Sequence, residues 1–148
     1  STESMWRWAI DLDPDNANAH GMLSGVCLDD GDDACALEHG AAAVRLGTSE
    51  LRFHENLAIA LVRTGHYDDA EAVARHVLSL TQSPVSWTVW GDADRERGRC
   101  EDALARYAIA ASRRTSILSK RSAISSPPPG ALPRTVDCDP LPTRRSSD

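Results

Sequence analysis

The sequence predicts an all-α protein, a helical-repeat solenoid of antiparallel helix hairpins over residues 1–112. Three observations predict it. The punctuation recurs: Gly31, Gly65 and Gly98 lie 34 and 33 residues apart, and Ala36, Ala70 and Ala103 keep the same two spacings. Further columns hold the same register, namely His20, His54 and Trp87, then Leu23, Leu57 and Trp90, with Ala9, Ala43, Val77 and Ala110 extending the series in both directions. Between the glycines the apolar residues follow a helical period, as in Leu57, Ala58 and Leu61, then Ala70, Val73, Ala74, Val77 and Leu78. A repeat near 34 residues with this pattern is the mark of stacked two-helix units. The one missing residue falls in the Thr81-Gln82-Ser83-Pro84 turn, where a deletion is tolerated better than inside a helix.

Each element then has its reason. Ser1 to Asp13 reads as the second helix of a hairpin, a remnant over 1–16 that implies a truncated N-terminus. Three units follow at 17–50, 51–83 and 84–112. Their first helices are expected at Ala17–Asp30, Leu51–Thr64 and Pro84–Arg97, and their second helices at Asp33–Leu46, Tyr67–Leu80 and Cys100–Ser112. Gly31, Gly65 and Gly98 stand just past a helix, where a left-handed backbone is easiest for glycine. Asp32-Asp33, Asp68-Asp69 and Glu101-Asp102 begin the second helices, where carboxylates cap free N–H groups and suit the helix dipole. Pro14 and Pro84 precede first helices, where a missing N–H does no harm. The small Ala36, Ala70 and Ala103 let paired helices approach closely. Residues 113–148 break the pattern: Ile117, Leu118, Ala123 and Ile124 suit a short capping helix, and the rest is a Ser/Pro/Arg-rich tail expected to be disordered.

Charge divides at the same place. Up to Ser112 there are nine Arg and no Lys against 19 Asp plus Glu; from Arg113 on there are seven Lys plus Arg against three Asp. Scattered arginines among twice as many carboxylates weigh against nucleic acid as a partner of the folded part. No run of 18 apolar residues spans a membrane, and no secretory signal is present, so membrane insertion is not expected. Cys27, Cys35, Cys100 and Cys138 form no CxxC pair, and a domain of this size needs no disulfide, which points to a reducing cytoplasm.

The third unit, Trp87-x2-Trp90-Gly91-x2-Asp94 followed by Ala103-x3-Tyr107, resembles the tetratricopeptide repeat signature. The second unit matches with His54-x2-Leu57-Ala58-x2-Leu61 and Ala70-x3-Ala74. The first matches with His20-x2-Leu23-Ser24-x2-Cys27 and Ala36-x3-Gly40, although Gly40 stands where a large aromatic is usual. The resemblance implies a right-handed superhelix whose first helices line a concave groove. It marks as groove residues Asn18 and Asp29 in the first unit. In the second unit it marks Arg52, Glu55, Asn56, Ile59 and Arg63, and in the third Thr88, Asp92, Arg95 and Glu96. Gly31, Gly65, Gly98, Ala36, Ala70 and Ala103 are the structural positions. Within this family a subclass clamps a terminal carboxylate with Lys and Asn across three repeats. Asn56 matches one clamp position, but Gly21, Gly25, Val85 and Val89 stand at the others, which disfavours that subclass here.

Chemistry is sparse. His20 and His54 share a repeat column with Trp87, which argues for packing, and no HExxH or supporting carboxylate pattern accompanies the five histidines. Cys27 and Cys35 read as small core residues, and Cys100 begins a helix that favours a thiolate. Asp29-Asp30-Gly31-Asp32-Asp33 is too compact for a calcium loop. No catalytic residue, metal or cofactor is expected. The expected function is a non-catalytic protein–protein interaction scaffold holding a peptide or protein partner, in which Arg52 and Arg63 grip a carboxylate. The alternative is a regulatory or substrate-recruiting segment of a larger enzyme, such as a transferase or kinase. Self-association through uncovered end faces is a third expectation.

Overall fold

A computed structural model describes the backbone of residues 1–121 and the side chains of residues 1–115. Within them are seven helices: α1 Thr2–Leu12, α2 Ala17–Asp29, α3 Asp33–Arg45, α4 Leu51–Arg63, α5 Tyr67–Leu78, α6 Pro84–Glu96 and α7 Cys100–Arg121. The ends fall within two residues of expectation except in α7, which runs on past Ser112. The expected disordered tail, with Ala123, Ile124 and Cys138, lies outside the described residues.

Short-range chemistry sets the boundaries. Ser1, Asn16, Asp32 and Ser83 are N-caps whose side chains accept from the amides of Ser4, Ala19, Cys35 and Ser86. Helices α4 and α5 have no side-chain cap. Asp68 and Asp69 act instead by placing negative charge in the first turn of α5. Gly31, Gly65 and Gly98 take φ of 75°, 84° and 78°. The residue after each glycine donates back to a carbonyl five positions earlier, Asp32 to Cys27, His66 to Leu61 and Arg99 to Asp94, all at 2.8 Å. This closes three helices in one way. Gly47, with φ of 83°, ends α3 similarly and was not among the expected glycines.

Every helix contacts its neighbours in sequence, and α2–α4 and α4–α6 touch as well. Among the described residues α3, α5 and α7 make no such contacts with one another. The stack is therefore tighter along α2, α4 and α6, which form the concave side. Ala36, Ala70 and Ala103 are fully buried between the layers. One core cluster joins Leu57, Ala58 and Leu61 to Ala70, Ala74 and Val89; another joins Leu23, Cys27, Cys35, Ala36 and Ala60. Gly40 replaces an aromatic because α4 presses on it: a Cβ there would lie 3.0 Å from Ser24 Oγ and 3.3 Å from Leu57 Cα.

The cysteine expectation needs correction. Cys27 and Cys35 are joined by a disulfide, with Cα atoms 5.8 Å apart, because the Gly31 turn folds the end of α2 onto the start of α3. Among the described residues no cysteine is free, so the thiolate reading of Cys100 does not hold. The bridge also removes the premise from which a reducing compartment was expected. His20 does pack between helices: its Nδ1 lies 2.9 Å from His39 Nδ1, and its Nε2 lies 2.9 Å from the Pro14 carbonyl. His54 meets His76 with ring centroids 5.3 Å apart and bonds the Thr48 carbonyl.

A candidate peptide groove

Two cavities open on the concave side. The first, about 410 Å³, lies between α2 and α4. Its floor is Gly21, Gly25 and Phe53, its apolar walls Met22, Val26, Leu28 and Ile59, and its polar groups Asp29, Arg52, Asn56 and Arg63. The second, about 260 Å³, lies between α4, α6 and α7. Val62, Val85 and Val89 supply apolar surface, with Thr88, Asp92 and Arg114 at its edge. Ile59 and Arg63 line both, so the two chambers form one groove with a shared wall.

The glycines make this shape. A Cβ on Gly21 would lie 2.3 Å from the Phe53 ring, so α2 and α4 can adopt this spacing only with glycine there. A Cβ on Gly25 would stand 3.3 Å from Asn56 Nδ2, over the chamber floor. Contacts between the two helices advance together along both: Gly21 and Met22 meet Phe53 and Arg52, Gly25 meets Asn56, and Leu28 meets Arg63. Helices α2 and α4 therefore run side by side in the same direction.

Of the residues marked by the repeat signature, Asp29, Arg52, Asn56, Ile59 and Arg63 line the first chamber, and Thr88 and Asp92 join the second. Asn18, Glu55, Arg95 and Glu96 line neither. Asn18 is exposed in the first turn of α2, Glu55 accepts from Ser83 Oγ at 2.5 Å, and Arg95 meets Glu96 at 3.4 Å. The sequence reading missed the apolar half of the site, Met22, Val26, Leu28, Phe53 and Val62, together with Arg114. Gly21, Gly25, Val85 and Val89 do line it, at the positions where the clamp subclass carries other side chains.

The charges are not equivalent. Arg63 Nη1 donates to the Leu28 carbonyl at 3.2 Å and to Asp33 at 3.4 Å. Arg52 has no carboxylate partner among the described residues; its guanidinium lies 3.5 Å from Met22 Sδ and 5.3 Å from the Phe53 ring centre. Asp92 accepts from the Tyr107 hydroxyl at 2.5 Å. Burial, reinforced by that bond, pushes the Tyr107 pKa well above its ordinary value and keeps the hydroxyl a donor. Among the described residues no three His, Cys, Asp or Glu side chains gather as a metal site, and no helix is long and apolar enough to cross a membrane.

Residues 3–50, which hold α1 to α3, match the tetratricopeptide repeat family. That match spans about a third of the chain. A crystal structure of a thermophilic tetratricopeptide repeat protein from Thermus thermophilus is similar to it, with a TM-score of 0.62 and 22% identity. The likeness covers 80% of this chain and 67% of that one. At that identity it concerns the fold. A comparison with curated proteins finds no match. Tetratricopeptide repeats generally mediate contacts between proteins.

Proposed function

We propose that this chain is a tetratricopeptide repeat protein and a non-catalytic interaction scaffold that holds a peptide segment of a partner protein in the concave groove. Residues 1–112 form the repeats, a remnant over 1–16 and units at 17–50, 51–83 and 84–112. The observation that carries the proposal is the groove itself. Two chambers share a wall at Ile59 and Arg63, with apolar surface below and arginines at the edge. A concave, mostly apolar cavity with a few placed polar groups is what a ligand segment needs. Stacked repeats supply a preformed one, so little ordering of the scaffold is required on binding.

Isothermal titration of the full chain against a peptide library tests this. Binding is expected for a subset of peptides and is expected to weaken at least tenfold in the Arg52→Glu, Arg63→Glu double variant. Unchanged binding in that variant removes both arginines from the site.

A further inference from the structure

Resting on that reading, we infer that the bound segment is extended and apolar and carries one acidic side chain seated on Arg52 and Asn56. The first chamber is electrically lopsided along its length. At the Arg63 end the positive charge is already answered by the Leu28 carbonyl, Asp33 and the nearby end of α2 at Asp29. At the Arg52 end the guanidinium meets Met22 Sδ and the Phe53 ring, and it has no ion pair among the described residues. Arg52 is exposed and its guanidinium is open to a new partner. Asn56 lies one helical turn further along the same face of α4, beside the uncovered Gly25. A guanidinium and a carboxamide one turn apart can bond the two oxygens of one carboxylate.

Apolar requirements follow from the rest of the lining. Beyond Asn56 the first chamber offers Val26 and Ile59, and across the shared wall of Ile59 and Arg63 the second chamber offers Val62, Val85 and Val89. Arg52 and Arg63 are separated by ten intervening residues of α4, so about 16 Å of helix lies between them at 1.5 Å per residue. An extended segment of about five residues spans that distance. Its acidic residue lies at the Arg52 end and its apolar residues occupy the remainder. The acid is a side chain and not a chain terminus. A terminal carboxylate is clamped in this family by Lys and Asn across three repeats, and of those positions only Asn56 is matched here, with Gly21, Gly25, Val85 and Val89 at the others.

The test uses the full chain and a positional-scanning library of octapeptides, acetylated at one end and amidated at the other. Each pool fixes Glu, Gln, Lys or Leu at one position. Glu pools are expected to be retained about tenfold better than Gln or Lys pools at one position, with Leu favoured within the next five. Arg52→Glu is expected to turn the Glu preference into a Lys preference, Arg52→Gln to abolish it, and Arg45→Glu on the outer helix α3 to leave it intact. Circular dichroism checks that each variant is folded. Gly25→Leu fills the chamber while improving helix propensity and is expected to abolish retention of every pool. Retention without a Glu preference, a preference that survives Arg52→Glu, or retention only of peptides with a free terminal carboxylate overturns this inference and leaves the groove standing. Failure of every pool to bind, or binding that persists in Gly25→Leu, overturns the groove reading with it.

Discussion

The first hairpin, α2–α3, and the third, α6–α7, have one backbone geometry and opposite chemistries. Both turn on a left-handed glycine, with φ of 75° at Gly31 and 78° at Gly98, and both bury a repeat alanine completely, Ala36 and Ala103. The first is held by neutral groups: the Cys27–Cys35 disulfide, Ser24 Oγ donating to the Ala36 carbonyl at 2.8 Å, and the His20–His39 contact. The third is held by charge. Asp94, only 2% exposed, meets Arg97 at 2.8 Å, Arg106 at 3.5 Å and Arg99 at 3.9 Å. Arg97 reaches back to Glu71 at 2.5 Å and Asp68 at 2.6 Å on α5, tying two repeats together. Burial works against the Arg97 charge, but its hydrogen bonds to Glu71, Asp68 and Asp94 outweigh this and raise its pKa above the ordinary value. Arg106 also lies 3.7 Å from the centre of the Trp90 ring, which stacks on Trp87. Cys27, Leu61 and Asp94 occupy one repeat column. That column accepts a half-cystine, an aliphatic side chain or a carboxylate, because the alanine and glycine columns set the path of the chain.

The sharpest way to break this comparison is Asp94→Ala. It leaves Arg97 and Arg106 facing each other without their shared carboxylate. A loss of about 3 kcal/mol or more is expected in urea unfolding, as for a severed buried ion pair. Removing the covalent tie with Cys27→Ala and Cys35→Ala should follow at about 2.5 kcal/mol, from a loop closed over a separation of eight residues. Hydrogen exchange should then quicken in α2 and α3 before α6 and α7. Ala36→Val and Ala103→Val should each lose about 1 kcal/mol or more by overpacking, and by similar amounts, since both sites are sealed. Unequal losses would show that the two hairpins do not share one frame.

The smallest effect concerns pH. Burial lowers the His39 pKa from its usual 6.5, and His20 and Arg7 lower it further, against an opposing contribution from Glu38. The unfolded chain therefore binds this proton more readily than the folded one. The stability this contributes is fully present above pH 6.5 and is lost as pH falls from there through the lower folded pKa. Thermal melts between pH 7.5 and 5.5 should show a decrease that His39→Gln removes, with the third hairpin's exchange rates unmoved.

Much of the frame could be read from residue columns because a column is a physical constraint repeated. Gly31, Gly65 and Gly98 each end a helix, so they recur; Gly47 ends α3 alone, opposite Thr81 in the next unit, and gave no recurrence to find. The bridge between Cys27 and Cys35 escaped because their spacing is unremarkable until the turn at Gly31 closes. Half the groove escaped for two reasons. Gly21 and Gly25 act by lacking a side chain, and Met22, Val26 and Leu28 have the same apolar character whether they face the core or a cavity. Arg114 lay past the point at which the last helix was expected to stop.

The paired imidazoles carry one further implication. His20 Nε2 faces the Pro14 carbonyl, which can only accept, so that nitrogen holds its hydrogen and Nδ1 of His20 is bare. The hydrogen shared between the two Nδ1 atoms therefore belongs to His39. The pair thus has a fixed polarity, a short relay in which His39 gives, His20 receives and passes its own hydrogen on, and the Pro14 carbonyl ends the line.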